Sequence, residues 1–513
     1  MFVWPVAALA RRALTMDSAR SPGALLERTH AWHLLAVTLG QAAASTILAV
    51  AVAAPIVWLY ARVSGAVLVI LTVVVTIPFV LPTVVVGVAF RALIDGPLAF
   101  AHIGFGWRAV LMAHVFLNVA VVVRVVGGAW RALDTRAVDA ARTLGAGRWR
   151  AWRTVVAPRL LPAVGAAATL VFLFCSTSFG VILILGGGAL RTLETEIYTQ
   201  AIGYFQIPAA VALSMLQVVV VVAALMICAL FRSQSAIGSA GPSRRRTPIG
   251  PLTRIAVGAV SVFTVVVLAG PIAVLAVRSV RPRVGGAWTL VGYRALADPV
   301  NGVTPLATLR YSFLTAVLAT LIAIIIGALA ALALHRTHGL LRSVGDVVSM
   351  IPLGVSAVTL GFGYLIILAA LPSYVGYSAW VIPCVQALLA VPVVIRIVLP
   401  ALESVSVRQR QAAAVLGAAP LRVFATIELP VIGRSLGAAG GFAFVMALGE
   451  FGATSFLARA DTTTLPVLIG SALNHPGANN LATAMAASML LVAATAVAVA
   501  ITEVAQPRFG AVR

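Results

Sequence analysis

Long apolar runs, separated by short loops that carry arginine, set the pattern of the chain. A run of about twenty apolar residues is long enough to cross a hydrocarbon layer as a helix. Eleven segments approach or exceed that length: 33–61, 65–93, 108–128, 162–187, 207–231, 255–280, 309–334, 346–371, 379–400, 432–456 and 481–503. A polar stretch at 232–254, rich in Ser, Gly, Pro and Arg and containing Arg244-Arg245-Arg246, interrupts them. It reads as a cytoplasmic linker between a first half, 1–231, with about five spans, and a second, 255–513, with six. Arginine-bearing loops at 131–159 and 408–434 take the same side under the positive-inside bias. Successive spans then alternate, and the loops 94–107, 188–206, 281–308, 372–378 and 457–480 face outward.

The two halves repeat each other. Asp139-Ala140-Ala141 is followed by Gly145, Val155 and Ala157-Pro158; Gln411-Ala412-Ala413 is followed at the same spacings by Gly417, Ile427 and Leu429-Pro430, 272 positions further on. The same offset relates Arg124 to Arg396, His114 to Gln386, Phe179-Gly180 to Phe451-Gly452 and Thr192-Leu193 to Thr464-Leu465. An even number of spans per period inserts both halves in the same sense, so a pseudo-twofold axis along the membrane normal relates them. The chain opens with Pro5 to Arg12, which looks like the tail of the run 255–280, Pro271 to Arg278. The first half therefore reads as starting inside its first span. A signal peptide fits poorly, because the basic residues follow the apolar stretch.

Composition confirms the class and removes others. Apolar residues make up 61% of the 513-residue chain, charged residues 10%, and mean hydropathy is +1.07, which only a bilayer accommodates as solvent. The formal charge of +22 comes from arginine, since the sequence has no lysine. Its clustering in short loops is explained by membrane orientation and not by nucleic-acid binding. A phosphate-binding P-loop needs a lysine after its glycines, so ATP hydrolysis must lie on another subunit. Cys175, Cys228 and Cys384 all fall in apolar runs and read as small core residues.

Each copy of the motif suits a protein docking surface. Paired alanines on a short helix present almost no side chain, so a partner's backbone can approach. Gly145 and Gly417 can take the left-handed conformation that ends a helix, and Pro158 and Pro430 suit the first turn of the next one. The product is a helix–turn–helix along the cytoplasmic surface, present twice.

The motif resembles the EAA loop in the membrane subunits of binding-protein-dependent ABC importers. The resemblance extends over 31–503. It implies an all-α polytopic membrane protein of two tandem, pseudo-symmetric permease bundles of the type I kind, with about 11–12 transmembrane helices. It implies that Asp139, Ala140, Ala141, Gly145 and Pro158, with Gln411, Ala412, Ala413, Gly417 and Pro430, couple to an ATPase. Gln411 departs from the acidic residue usual at its position. The partners implied are an ABC ATPase in two copies and an extracytoplasmic substrate-binding protein. The chain itself binds no cofactor; ATP and magnesium belong to the ATPase. The setting is the plasma or inner membrane of a prokaryote. Leu111 to Asn118, Leu185-Gly186-Gly187-Gly188 with Thr192-Leu193-Glu194 and Ile197-Tyr198, and Ala447 to Gly452 resemble fused permeases for thiamine or ferric iron, both cationic solutes.

Buried polar groups mark the candidate path. Glu450 offers a negative charge to a cation, although it could equally pair with an arginine or sit at the interface. Ser178, its counterpart, and Ser176 supply neutral groups, or small surfaces for helix packing. His114, Asn118 and Gln386 either line the path or bond between helices. His114 has no second nitrogen or sulfur ligand at suitable spacing, so no metal site is expected. Glu194 and Glu196 fall in an outward loop, where they receive a binding protein or are simply solvated. An ion-gradient-driven secondary transporter is the main rival, and it gives no reason for twin loops. An integral-membrane enzyme would need a His, Asp or Glu cluster that the sequence lacks.

Overall fold

The computed structural model describes residues 3–15, 22–134, 136–232, 251–299, 302–342, 344–345, 349, 356–376, 378–459, 461–474 and 478–505. In the first half, α1 covers Val3–Leu14, α2 Ala31–Arg62, α3 Ala66–Val80, α4 Thr83–Ile94 and α5 Trp107–Ala132. They are followed by α6 Arg136–Thr143, α7 Ala157–Ser176, α8 Gly180–Leu185, α9 Leu193–Tyr198 and α10 Ile207–Arg232. The second half contains α11 Pro251–Val280, α12 Pro305–Arg336, α13 Ala357–Ala369, α14 Val381–Ser404 and α15 Val407–Val415. After these come α16 Leu429–Leu448, α17 Thr454–Leu457, α18 Leu465–Asn474 and α19 Ala478–Ala505. The expected linker at 232–254 lies mostly outside the described residues; its last four positions already belong to α11.

Each half is built on three mutually packed helices, α2, α5 and α7 in the first and α12, α14 and α16 in the second. Small residues make the close approach possible. Ala42, Ala49 and Ala53 on one face of α2, and Ala316, Ala319 and Ala323 on one face of α12, are fully buried. On the opposite face of α12, Leu321, Ile325 and Leu329 are 52–63% exposed. A stripe of that kind would cause aggregation in water but is the ordinary lipid-facing surface of a membrane helix. Cys384 belongs to such a surface. It is exposed, whereas its apolar surroundings had suggested the core; Cys175 is buried.

Among the described residues, eight helices are individually long and apolar enough to span the membrane, and two bent pairs raise the number to ten. The expected span 65–93 is one of the bent pairs: α3 and α4 meet at 100°. Pro82 explains the break, because it lacks an amide hydrogen and forces its predecessor out of the helical region. Leu81 and Pro82 accordingly have ψ of 139° and 135°. In the span expected at 346–371, the described helix is the thirteen-residue α13. The run 162–187 divides into α7 and α8. Apolar length identifies these segments but does not distinguish a straight span from a broken one.

The halves exchange elements. In the second half α13 packs on α1, α9 and α10 of the first; reciprocally, α4 of the first half packs on α11, α18 and α19 of the second. Thus α1 sits on the partner half as α11 does. The similarity between Pro5–Arg12 and Pro271–Arg278 reflects equivalent positions in a twofold arrangement.

Candidate functional site

Both repeated loops fold alike. At the end of α6, Gly145 has φ +86°; its amide donates to Arg142 O at 3.0 Å, and that of Ala146 to Ala141 O at 3.0 Å. At the end of α15, Gly417 has φ +81°, with bonds from Gly417 to Ala414 O and from Ala418 to Ala413 O, both 3.0 Å. This is the Schellman closure, which requires a left-handed residue at the glycine position. Asp139, Ala140, Gln411 and Ala412 are exposed, and Ala141 and Ala413 half-buried.

Two features were not anticipated from the motif. Leu144 and Leu416, related by the same offset of 272, are 88% and 86% exposed beside their glycines. Beyond the first turn, Trp149 and Trp152 stack with centroids 5.0 Å apart and an interplanar angle of 14°. Large apolar groups held into water mark an interaction surface. The signal lay in the sequence as an apolar residue between a polar helix and a glycine turn.

After each turn the chain enters a long helix. Pro158 and Pro430 are the second residues of α7 and α16, but each follows a π-helical turn, Trp152–Val156 and Phe424–Glu428, whose residues already have helical dihedrals. The helix is therefore continuous through the proline instead of starting there, and the wider π turn accommodates the missing amide. A single helical path of 29 residues, Arg148–Ser176, runs from the loop to the centre of the molecule, about 40 Å at 1.5 Å per residue.

Just beyond the ends of these helices the two halves meet. Phe179 and Phe451 stack with centroids 5.2 Å apart and planes 18° apart. Tyr198 packs on Phe179 at 5.2 Å and edge-on against Phe456 at 5.4 Å, which extends the aromatic contact across both halves. Two equivalent residues stacked on one another locate the pseudo-twofold axis and occupy it.

Of the candidate path residues, Ser178 and Glu450 immediately precede the stacked rings in sequence. Ser178 Oγ lies 2.9 Å from His114 Nε2, and His114 Nδ1 lies 3.0 Å from Ser45 Oγ, a buried chain joining α2, α5 and the end of α7. Asn118 donates to His114 O at 2.8 Å and approaches Cys175 Sγ at 3.4 Å. Ser176 donates to Leu173 O of its own helix. Gln386 is buried, and its Oε1 has no partner among the described residues. Glu450 is half-buried, and its two oxygens accept the amides of Ala453 at 2.7 Å and Thr454 at 2.8 Å. These bonds hold the carboxyl group at the start of α17.

Glu194 and Glu196 correct the expectation of solvated loop residues: they are 0% and 5% exposed. The short helix α9 is folded into the interface between the halves, and an outward position in sequence did not predict that. Glu196 lies 3.8 Å from Arg191 and accepts from Gln200 at 2.7 Å. Glu194 accepts from Gln217 and from Ser356.

The chain matches, over residues 39–235 and again over 301–510, a family described as binding-protein-dependent transport system inner membrane component. It is 26% identical over 459 residues to the thiamine transport system permease protein ThiP of Brucella abortus (strain 2308), covering 86% of this chain and 82% of that one. It is also 26% identical over 381 residues to the thiamine transport system permease protein ThiP of Escherichia coli (strain K12), with 73% and 69% covered. The molybdenum transport system permease protein ModB of Mycobacterium bovis is 36% identical over 231 residues, 43% of this chain but 81% of its own. A relative of that size corresponds to one half of this protein.

Proposed function

The chain belongs to the binding-protein-dependent transport system inner membrane components, and on that premise we propose that its two cytoplasmic loops receive two copies of a separate ABC ATPase. The protein is a multi-pass inner-membrane permease that forms the pathway of an importer. A substrate-binding protein outside delivers the solute. That solute is thiamine, the cargo named in its full-length relatives; ferric iron, also cationic, is the second choice.

One observation carries the coupling reading. In both halves a glycine-ended helix with an exposed leucine leads, through the helical segment that follows, to the phenylalanine on the axis; that segment is one 29-residue path in the first half and bends by 48° in the second. Force applied at Gly145 and Gly417 is transmitted along these helical rods, the first straight through and the second bent, to Phe179 and Phe451. ATP binding draws the ATPase copies together, the rods turn, and the stack parts toward the outside; hydrolysis reverses the movement. This is alternating access by rigid-body motion of two halves about a site between them. The rods do mechanical work only, and Asp139, Ala140, Ala141, Gln411, Ala412 and Ala413 form the seat on which the ATPase presses. Ser178 and Glu450 flank the stacked rings in sequence, so the solute passes beside them, with Ser176, His114, Asn118 and Gln386 supporting that passage from behind.

Reconstitution tests this. The permease is co-expressed with a cognate ABC ATPase and binding protein, purified and placed in liposomes, and uptake of labelled thiamine is followed. The expected result is co-purification of two ATPase copies per permease and uptake that requires both ATP and binding protein. Uptake driven by an ion gradient without the ATPase would overturn the reading in favour of a secondary transporter.

A further inference from the structure

The pseudo-twofold axis creates two equivalent contacts between the halves, α9 against α13 and α18 against α4, and they are chemically unequal. In the first, Ser356 Oγ of the second half donates to Glu194 Oε2 of the first at 2.5 Å, and Gln217 Nε2 donates to Glu194 Oε1 at 2.8 Å. Glu194 and Gln217 are fully buried and Ser356 is 3% exposed. No basic side chain among the described residues pairs with the carboxyl group. The matching stations of the second contact are Pro466, at the offset of 272 from Glu194, and Pro82, which precedes α4 as Ser356 precedes α13. Neither proline side chain can form a hydrogen bond.

We propose that Glu194 and Ser356 form a one-sided clasp that holds the pathway shut, a positioning device for the transport cycle that rests on the importer reading. Its place in the fold supports this. Glu194 is one helical turn from Tyr198, the ring that backs Phe179 on the axis. A capping box between Thr192 and Thr195 fixes α9 at that site. The same Ser356 hydroxyl also accepts the amides of Val358 and Thr359, so the clasp is anchored to the start of α13 and not to a mobile side chain. Outward opening must separate α9 from α13, and this bond lies across the line of separation.

The clasp is also releasable. Gln217 Oε1 and Thr359 Oγ1, both fully buried, have no hydrogen-bond partner among the described residues. A buried polar contact that leaves acceptors unpaired gains when water enters, so opening recovers hydration that the closed state forgoes. Among the described residues the proline-bearing contact has no such bonds to break or remake, and it can slide. The halves therefore separate unequally, with the Glu194 side parting while the proline side acts as the pivot.

The test uses the complete transporter, permease with ATPase and binding protein, in liposomes, with ATP hydrolysis measured with and without binding protein. Glu194→Ala removes the acceptor but leaves the α13 cap intact; Glu194→Gln restores an acceptor oxygen for Ser356. Glu194→Ala is expected to raise binding-protein-independent hydrolysis at least threefold and to leave the stimulated rate within twofold of wild type. Glu194→Gln is expected to return the basal rate to the wild-type level. If Glu194→Ala does not assemble, Ser356→Ala, which leaves Glu194 bonded to Gln217, is read in the same way. A stimulated wild type together with an unchanged basal rate in the assembled alanine variant overturns the clasp alone. So does a glutamine variant that behaves like the alanine variant. A wild type without stimulation overturns the importer reading and the clasp with it.

Discussion

Arg410 and Glu428 pair at 3.6 Å across the second repeated loop, joining α15 to the π turn that leads into α16. Arg410 also donates to Val405 O at 2.9 Å and bonds His335 Nε2 at 2.7 Å. In the first loop the equivalent positions are Val138 and Val156. The same pair of positions is thus charged in one half and apolar in the other.

Glu428→Gln should therefore weaken only the second loop. Glu428 is buried, and its loss leaves the Arg410 guanidinium without its counter-charge, at a cost of about 1–3 kcal/mol. Thermal unfolding of the purified permease should shift down, and proteolysis should cut first between α15 and α16. A cleavage pattern identical to wild type would contradict this.

Phe179→Ala and Phe451→Ala should each loosen the closed pathway. An aromatic pair contributes about 1 kcal/mol beyond its buried area, about a fivefold shift toward the open state. Efflux of preloaded labelled solute from liposomes lacking ATP should rise by about that factor. The double variant should add little, because either single change already removes the pair.

Gly145→Pro together with Gly417→Pro should abolish hydrolysis stimulated by the binding protein while leaving membrane insertion unchanged. Proline cannot adopt the positive φ of these turns, so both docking knuckles distort. The assay compares stimulated ATP hydrolysis with the amount of permease in the membrane fraction. Full stimulation in the double variant would count against coupling through these loops.

Leu144→Asp with Leu416→Asp should release the ATPase without destabilising the permease. Both side chains are almost fully exposed, and an exposed substitution costs little folding energy. At an interface, however, it buries an unpaired charge. Affinity purification should recover the permease at normal yield with the ATPase reduced at least tenfold.

His114→Ala should lower stability by about 2 kcal/mol, because Ser45 and Ser178 both lose their buried partner. The expected readout is a lower midpoint in detergent unfolding, with His114→Gln falling between the two. An unchanged midpoint would show that the three-residue chain contributes nothing.

Much of this protein was legible in the order of its residues. A membrane environment follows from apolar run length, and tandem symmetry follows from the recurrence of Asp139–Pro158 as Gln411–Pro430. The turns at Gly145 and Gly417 were readable because a Schellman closure depends on one residue and its neighbours. Each of these properties is local, or repeats along the chain, so a linear reading reaches it.

Tertiary structure alone decided which polar groups meet. Glu194 looked like an outward loop residue and is instead fully buried against Ser356, 162 positions away. Glu450, read from sequence as a charge for a cation, a partner for an arginine or an interface residue, accepts two amides of the helix that follows. The exchange of α4 and α13 between the halves, and the stack of Phe179 on Phe451, likewise depend on two segments arriving at one place. A buried polar group is satisfied by whatever lies opposite it in space, and hydrophobic periodicity says only that it is buried, never what it faces.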